Sequence, residues 1–139
     1  MASITFFSEG IDFKISKPRA TKNWIQKVVK KEKHKLSSLS YIFCSDEFLS
    51  NLNRQYLNHD TLTDIITFNY SIEPASLEGE IYISIPRVKE NSKLFNADFD
   101  EELHRVIIHG VLHLLGYGDK RPSEKAQMRK KEEACLSLR

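Results

Sequence analysis

The sequence predicts an α+β fold in one domain, with a small mixed four-stranded sheet packed against about five helices. Short runs of β-branched and aromatic residues alternate along the chain with longer segments whose apolar residues recur at helical spacing. The chain has 139 residues, 40% hydrophobic and 29% charged, which is the composition of an ordinary globular protein that can bury a core. No repeat, low-complexity tract or long linker divides it, so residues 1–139 are expected to form a single domain.

The first half of the chain alternates strands and helices. Residues 3–7, S-I-T-F-F, are β-prone and predict the first strand. Between residues 19 and 34, apolar residues recur at helical intervals with lysines between them, so we expect a basic amphipathic helix. Residues 39–44, L-S-Y-I-F-C, predict the second strand. Asp46 marks the start of a second helix, whose apolar side contains Phe48, Leu49, Leu52, Tyr56 and Leu57.

The second half contributes two more strands and three helices. The strands are expected at residues 65–70 and 79–85, joined by a loop that contains Pro74. Proline is well placed in the first turn of a helix, and Asp or Ser caps a helix start. These signals predict a helix from Pro86 to about Phe95, a central helix capped by Asp98 or Asp100, and a last helix from Ser123 to about Leu138.

The central helix carries two histidines four residues apart, His109 and His113. At this spacing they lie one above the other on one face and can bind one ion together. Gly116 can end the helix in a left-handed cap, and the turn would bring the carboxylate of Asp119 to the same place. Two imidazoles and one carboxylate leave a coordination position for water, as in catalytic metal sites. The pattern H-x-x-x-H-x-x-G-x-x-D therefore predicts a metal site of His109, His113 and Asp119 on the central helix and the following turn.

A simpler interpretation of the histidine pair is chance, because paired histidines at helical spacing are common. Apolar residues occur around most of this helix, which predicts that it is buried. A buried histidine needs a partner for each ring nitrogen, and a shared metal would be the partner of one nitrogen in each of the two rings. Burial, together with the spacing of Gly116 and Asp119, favours the metal site.

The stretch from His109 to Asp119 resembles the hallmark of the YbeY family of bacterial metallo-endoribonucleases. It reads H-G-V-L-H-L-L-G-Y-G-D where the family has H-G-x-L-H-L-x-G-Y-D-H, and it differs only at the last two positions. Upstream, L-N-x-x-Y at residues 52–56, T-D-I-I-T-F at 63–68 and G-E-I-Y-I at 79–83 resemble the family segments L-N-x-x-Y-R, T-D-V-L-S-F and G-D-I-x-I. Order and spacing agree along nearly the whole chain.

Four of the departures from the family pattern are not conservative. Asp119 stands where the family has its third histidine ligand, and Gly118 stands where it has Asp. Leu57 replaces the usual Arg after the tyrosine, and Leu62 replaces the Pro before Thr-Asp. Asp119 is a chemically suitable ligand, and the loss of the Arg bears on RNA contact and catalysis.

The resemblance implies a metal-dependent, single-strand-specific endoribonuclease that acts in 16S rRNA 3′-end maturation and late-stage ribosome quality control. It implies one zinc ion per chain on His109, His113 and Asp119. The implied partners are single-stranded RNA, small-subunit rRNA and the ribosome. We expect no membrane association and no nucleotide cofactor.

Hydrolysis also needs a group that takes a proton from water, and several residues are candidates. Asp64 and Glu80 each lie at the start of a predicted strand and could face the site, although either could equally be an exposed strand-end charge. His59 is a further candidate, more simply explained as a loop residue. Arg54 lies one helical turn from Leu57 and could approach RNA in place of the missing Arg. His104 lies roughly 140° around the helix from His109, so it is not expected to be a ligand.

Two alternatives to an RNA-cleaving enzyme stay open. Leu57 in place of Arg leaves room for a ribosome or RNA assembly factor that binds a metal but catalyses weakly or not at all. The histidine spacing is also that of metzincin proteases, which carry Glu directly after the first histidine, whereas this chain has Gly110. The same donor set occurs in non-haem iron oxygenases, so iron, nickel or manganese are alternatives to zinc.

Charged residues are segregated along the chain. Lys and Arg outnumber acids nine to three in residues 1–40 and eight to four in residues 103–139, whereas residues 41–102 have four against twelve. If the two basic ends meet in space, they form a positive surface suited to RNA; otherwise they are solvated helix faces. The chain has two cysteines without a disulfide framework, no apolar stretch of transmembrane length and no signal-peptide pattern. We therefore expect a cytoplasmic protein.

Overall fold

The computed structural model describes residues 3–57 and 63–139, and over these residues the predicted fold class is confirmed. Four strands form one mixed sheet, and five helices pack around it. In chain order the elements are β1 (Ser3–Glu9), α1 (Pro18–Lys31), β2 (Lys35–Cys44), α2 (Asp46–Leu57), β3 (Ile65–Asn69), β4 (Ser76–Ser84), α3 (Ile85–Leu94), α4 (Phe99–Leu114) and α5 (Pro122–Leu136).

The sheet has the strand order β1-β2-β4-β3. β2 runs parallel to both β1 and β4, and β3 pairs antiparallel with β4 in the register Ile65↔Ile83 to Asn69↔Gly79. β3 is therefore an edge strand, with one side of its backbone unpaired within the sheet. This edge becomes a wall of the functional cleft.

Helices cover the two faces of the sheet unequally. The main core joins α1 and α4 to one face, where Ile81 and Ile83 are fully buried. Gly110 lets α4 approach this face closely, because an added Cβ would lie only 2.9–3.0 Å from side-chain carbons of Ile81 and Ile65. The other face carries α2 and a smaller cluster of Cys44, Leu49 and Ile66. The close contact of α4 with β3 and β4 sets the height of the histidines above the sheet edge.

Strand boundaries extend beyond the sequence-based predictions. β2 begins at Lys35 rather than at residue 39, because residues 35–38 pair with the start of β4 through a register irregularity between Leu36 and Ser38. β1 continues to Glu9, which pairs with Cys44. Pairing across the sheet, rather than local β-propensity, holds these polar segments extended.

The two basic ends of the chain meet in space. The indole Nε1 of Trp24 in α1 donates a hydrogen bond to the carbonyl of Cys135 in α5 at 2.9 Å. Lys131 Nζ of α5 lies 2.8 Å from Glu32 Oε2, just after α1. Helix α1 and the segment after it therefore contact α5, and the charged contact between them pairs Lys131 with an acid, Glu32.

Both cysteines are buried and unpaired. Burial, together with the charges of Asp46 and Glu9, raises the pKa of the Cys44 thiol to about 12, so it stays protonated and unreactive near neutral pH. Within residues 3–57 and 63–139, none of the helices combines the length and the apolar character needed to cross a bilayer.

Candidate metal centre

The chain turns back directly after α4. Gly116 has φ 109°, a conformation that favours glycine. Its N–H donates to the carbonyl of His113 at 3.1 Å, and the Tyr117 N–H donates to the carbonyl of Leu112 at 3.0 Å. These two bonds form a Schellman motif, which confirms the predicted turn at Gly116. The turn brings Asp119 back to the side of the helix that carries His109.

The structure places Asp119 against His109. Asp119 Oδ2 lies 3.3 Å from His109 Nε2, a separation that one ion bonded to both atoms could span at about 2.0–2.2 Å from each. The ring of His113 lies parallel to that of His109, with centroids 6.3 Å apart, and it is exposed. Within the described part of the chain, no three His, Cys, Asp or Glu side chains converge as they stand into a ready-made metal cluster. His113 therefore stays a predicted ligand, on the strength of its place on the helix, since the structure shows no contact of its ring with Asp119.

Glu132 of α5 holds the other nitrogen of His109. Its Oε2 lies 2.6 Å from His109 Nδ1, and its carboxylate is buried. A carboxylate at Nδ1 keeps the proton on that nitrogen, which leaves Nε2 free as a ligand atom. This arrangement of carboxylate, histidine and open nitrogen is typical of protein metal sites. It is the observation that best fits His109 to a metal.

Arg105 in turn holds Glu132. Its Nη1 lies 3.2 Å from Glu132 Oε1, and its Nη2 lies 2.6 Å from Glu133 Oε1. A continuous line of contacts therefore runs from Arg105 through Glu132 and His109 to Asp119. The sequence analysis missed Glu132 and Arg105, because nothing in the run K-K-E-E marks one glutamate as buried.

Acidic groups dominate the potential at His109. Burial alone would lower the pKa of His109, but the hydrogen bond and charge of Glu132, with the charges of Asp119 and Asp64, raise it on balance. Burial raises the pKa of Asp64, partly opposed by the charge of His109. Three carboxylates near one imidazole favour positive charge at this point, which a divalent metal ion would supply.

These residues lie in a cleft of about 650 Å³. Edge strand β3 and the residues before it form one wall, and α4 with the following turn forms another. Basic side chains and one aromatic ring line it beside the histidines: Arg105, Lys120, Arg129 and Phe95. A second cleft of about 410 Å³, lined by α5 residues that include Lys125, adjoins the first and shares His109, Asp119, Arg129 and Glu132 with it.

Of the three candidate general bases, Asp64 and Glu80 lie within the described residues, and the structure brings one of them to the cleft. Asp64 lines it, with Oδ2 accepting a hydrogen bond from Asn91 Nδ2 at 3.4 Å. Glu80 does not line it. Gly79 and Ile81 face α4, so strand alternation turns Glu80 to the opposite face, where it accepts a hydrogen bond from the Tyr70 hydroxyl at 2.8 Å. The expectation that Glu80 could face the site is corrected accordingly.

The remaining candidates lie away from the cleft or outside the described residues. Arg54 is in α2, where its guanidinium donates to Asn51 Oδ1, and it does not line the cleft. His104 is buried against Trp24, with ring centroids 5.4 Å apart, and it does not line the cleft either, as the helical angle predicts. His59 and Leu62 fall outside the described residues.

Comparison with known proteins supports the resemblance over nearly the whole chain. The family model described as "Endoribonuclease YbeY" matches residues 7–138. Endoribonuclease YbeY of Amoebophilus asiaticus is 51% identical over 131 residues, which cover 94% of this chain and 89% of the relative. The Cytophaga hutchinsonii protein of the same name is 48% identical over 137 residues, covering 99% and 96%.

A solved structure agrees with the fold. The solution structure of TM1509 from Thermotoga maritima superposes with a TM-score of 0.70 at 33% identity, covering 97% of this chain and 87% of that one. Fold, motif order and full-length similarity point the same way: the chain belongs to the YbeY family.

Proposed function

We propose that this protein is a metal-dependent endoribonuclease that cuts single-stranded RNA, with one zinc ion held by His109, His113 and Asp119. The observation that carries this proposal is the pair of contacts on His109, with Glu132 at Nδ1 and Asp119 at Nε2. Both lie at an open cleft with cationic side chains. Relatives named Endoribonuclease YbeY, similar over nearly the full chain, support the reaction class.

Different residues of the cleft would take different roles in phosphodiester hydrolysis. When bound, a divalent ion lowers the pKa of water and polarises a phosphoryl oxygen. Glu132 keeps the His109 proton on Nδ1, so that Nε2 is free to bind. Asp64, whose pKa is raised by burial, is placed in the cleft to accept a proton as general base. Lys120 and Arg129 supply positive charge for the phosphates.

The metalloprotease alternative is disfavoured by the packing at residue 110. Metzincin proteases have a glutamate directly after the first histidine as general base. Here that position is Gly110, and even a Cβ would approach Ile81 and Ile65 to 2.9–3.0 Å. A glutamate could not point from this position into the cleft without moving the helix off the sheet.

We further propose that the substrate is the 3′ end of small-subunit rRNA, in 16S rRNA maturation and late-stage ribosome quality control in the cytoplasm. The ribosome would then be the macromolecular partner. Family membership supports this assignment, and so do the basic side chains Lys120 and Arg129 in the cleft, since positive charge attracts polyanions.

Metal content and RNA cleavage, measured on the same preparations, test the proposal. We expect about one zinc per chain in the wild type, and loss of both zinc and single-stranded RNA cleavage in His109→Ala, His113→Ala and Asp119→Ala. His34→Ala is the matched control, because the His34 ring hydrogen-bonds to the Glu32 carbonyl in the turn after α1 and does not line the cleft. Casein should stay intact. Cleavage that survives in all three variants, or wild-type protein that binds no metal after reconstitution, would contradict the proposal.

A further inference from the structure

Phe95 is an exposed aromatic ring in the wall of the cleft. It ends α3, and 67% of its surface is accessible to solvent. It belongs to neither hydrophobic cluster of the described residues, so its exposure serves no core packing that the structure shows. An exposed phenylalanine loses apolar stabilisation. It lines the same cleft as His109 and His113, and an exposed ring there fits a ligand with a flat face.

Two arginines line the same cleft but differ in their contacts. The Arg105 guanidinium is held by Glu132 and Glu133, and it supports His109 through Glu132. Arg129 is exposed and makes no hydrogen bond or ion pair with the other described residues. Arg129 is therefore available to a ligand, and it lines both adjoining clefts together with His109 and Asp119.

We propose that the cleft binds one nucleotide of single-stranded RNA, with its base stacked on Phe95 and an adjacent phosphate on Arg129. This inference rests on the proposed endoribonuclease function and names its substrate contacts. Aromatic rings stack any base, and an arginine binds phosphate without reading sequence. Together they would select a polynucleotide strand with little sequence preference.

Stacking on Phe95 would also explain a preference for single strands. Bases within a duplex are covered by their neighbours on both faces, so only an unpaired, unstacked base can lie on a protein ring. Phosphate contacts alone are similar for both forms. Phe95 is thus a specificity-determining residue, and Arg129 is a positioning residue for the phosphate.

The adjoining clefts give the strand a path through the site. Because His109, Asp119 and Arg129 line both clefts, a strand that passes from one to the other crosses the candidate metal centre. Lys125 lines the second cleft and can take a phosphate beyond the cleavage point. An RNA strand can follow such a path without one of its ends entering the cleft, as cleavage at an internal position requires.

Single-turnover cleavage at increasing enzyme concentration separates binding from the chemical step. Stacking contributes roughly 1–3 kcal/mol per base, so Phe95→Ala should raise the half-saturating concentration for single-stranded RNA roughly 5- to 150-fold, with an unchanged zinc content. Phe95→Trp should restore binding. Leu94→Ala is the matched control, since Leu94 is 70% exposed but does not line the cleft.

RNAs with a single abasic nucleotide, stepped along the strand, locate the stacked base. At one position the abasic RNA should bind wild-type protein as weakly as intact RNA binds Phe95→Ala, and the two changes together should cost no more than either alone. Arg129→Ala should lower the slope of log affinity against log salt by about 0.7, and Lys130→Ala should lower it less.

The outcomes separate this inference from the proposed function. If wild-type protein cuts RNA and Phe95→Ala has an unchanged half-saturating concentration, the stacking contact is overturned while the nuclease stands. The stacking contact is likewise overturned if the effect of every abasic position adds in full to that of Phe95→Ala. Zinc-loaded wild-type protein that neither binds nor cuts RNA would overturn both.

Discussion

Replacement of Glu132 by glutamine should weaken metal binding without unfolding the protein. The wild-type carboxylate accepts from His109 Nδ1 at 2.6 Å, a charge-assisted hydrogen bond that fixes the tautomer with Nε2 free. The amide of Glu132→Gln can accept the same bond through its oxygen, but it can also donate to Nδ1 through its nitrogen. The second orientation would place the proton on Nε2, where a metal would have to displace it.

The expected size of the effect follows from these contacts. Loss of such an outer carboxylate typically costs 10- to 100-fold in metal affinity, about 1.4–2.7 kcal/mol. Folding should suffer less, because the Arg105 guanidinium keeps its 2.6 Å contact with Glu133 and is not left as an unpaired charge. We expect Glu132→Ala to bind metal more weakly than Glu132→Gln, because it retains no acceptor at Nδ1.

Zinc titration against a competing chelator measures this effect directly, and chemical unfolding of the metal-free proteins tests their integrity. Glu133→Gln is the matched control: it removes the neighbouring carboxylate, which also binds Arg105 but is not hydrogen-bonded to His109. Its zinc affinity should stay within about twofold of wild type, well below the roughly 10- to 100-fold typical of an outer carboxylate. Equal affinities for wild type and Glu132→Gln, or equal losses in both glutamine variants, would refute the role given to Glu132.

Three further changes test the framework around the site. Burial would raise the pKa of Glu32, but the hydrogen bond and charge of Lys131 lower it on balance. The Glu32 carboxylate therefore stabilises the fold above its ordinary pKa of 4.5, and this stabilisation is lost as the pH falls through the lowered pKa. Urea unfolding should therefore show Glu32→Gln less stable than wild type by about 1 kcal/mol at pH 7, with a gap that narrows as the pH falls below 4.5; a constant gap would contradict this. Tyr41→Phe should cost about 1 kcal/mol in unfolding free energy, because the buried hydroxyl donates to the Ile107 carbonyl at 3.0 Å, and a more stable variant would disprove it. In Gly110→Ala, overpacking against the sheet should lower the unfolding free energy by about 1–3 kcal/mol, and the gain in helix propensity should offset roughly 1 kcal/mol of this loss. A raised melting temperature would show that α4 can move away from the sheet.

Much of the fold could be predicted because local signals and burial agree. α1 shows apolar residues at helical spacing, and Trp24, Ile25, Val28 and Val29 are all buried as that spacing indicates. Pro86 lies in the first turn of α3, and Asp98 precedes α4 as its N-cap residue. The start of β2 was missed because residues 35–38 contain two serines and gain their extended form only from pairing with β4.

The site could be predicted only where its residues are close in sequence. His109, His113, Gly116 and Asp119 lie within one helix and one turn, so helical geometry and a glycine cap relate them. Glu132 comes from the next helix, and its contact with His109 depends on how α5 packs against α4. Glu80 was a candidate because strand starts often face a site, but alternation along β4 puts it on the other face. The sequence shows that successive residues of a strand alternate between two faces of the sheet, but it does not show which of the two faces the site.

The position of α5 has a consequence for the order in which the molecule becomes competent. The other helices and strands of the described residues precede α5, yet α5 supplies both the carboxylate on His109 and the carbonyl that accepts from Trp24. During synthesis the histidines and the turn are therefore made before the group that orients them. A nascent chain whose α5 is still within the ribosomal tunnel would have the ligands but not the fixed tautomer. Metal binding at the candidate site would therefore be weaker, by about the same 10- to 100-fold, until α5 has been made and has packed against α4.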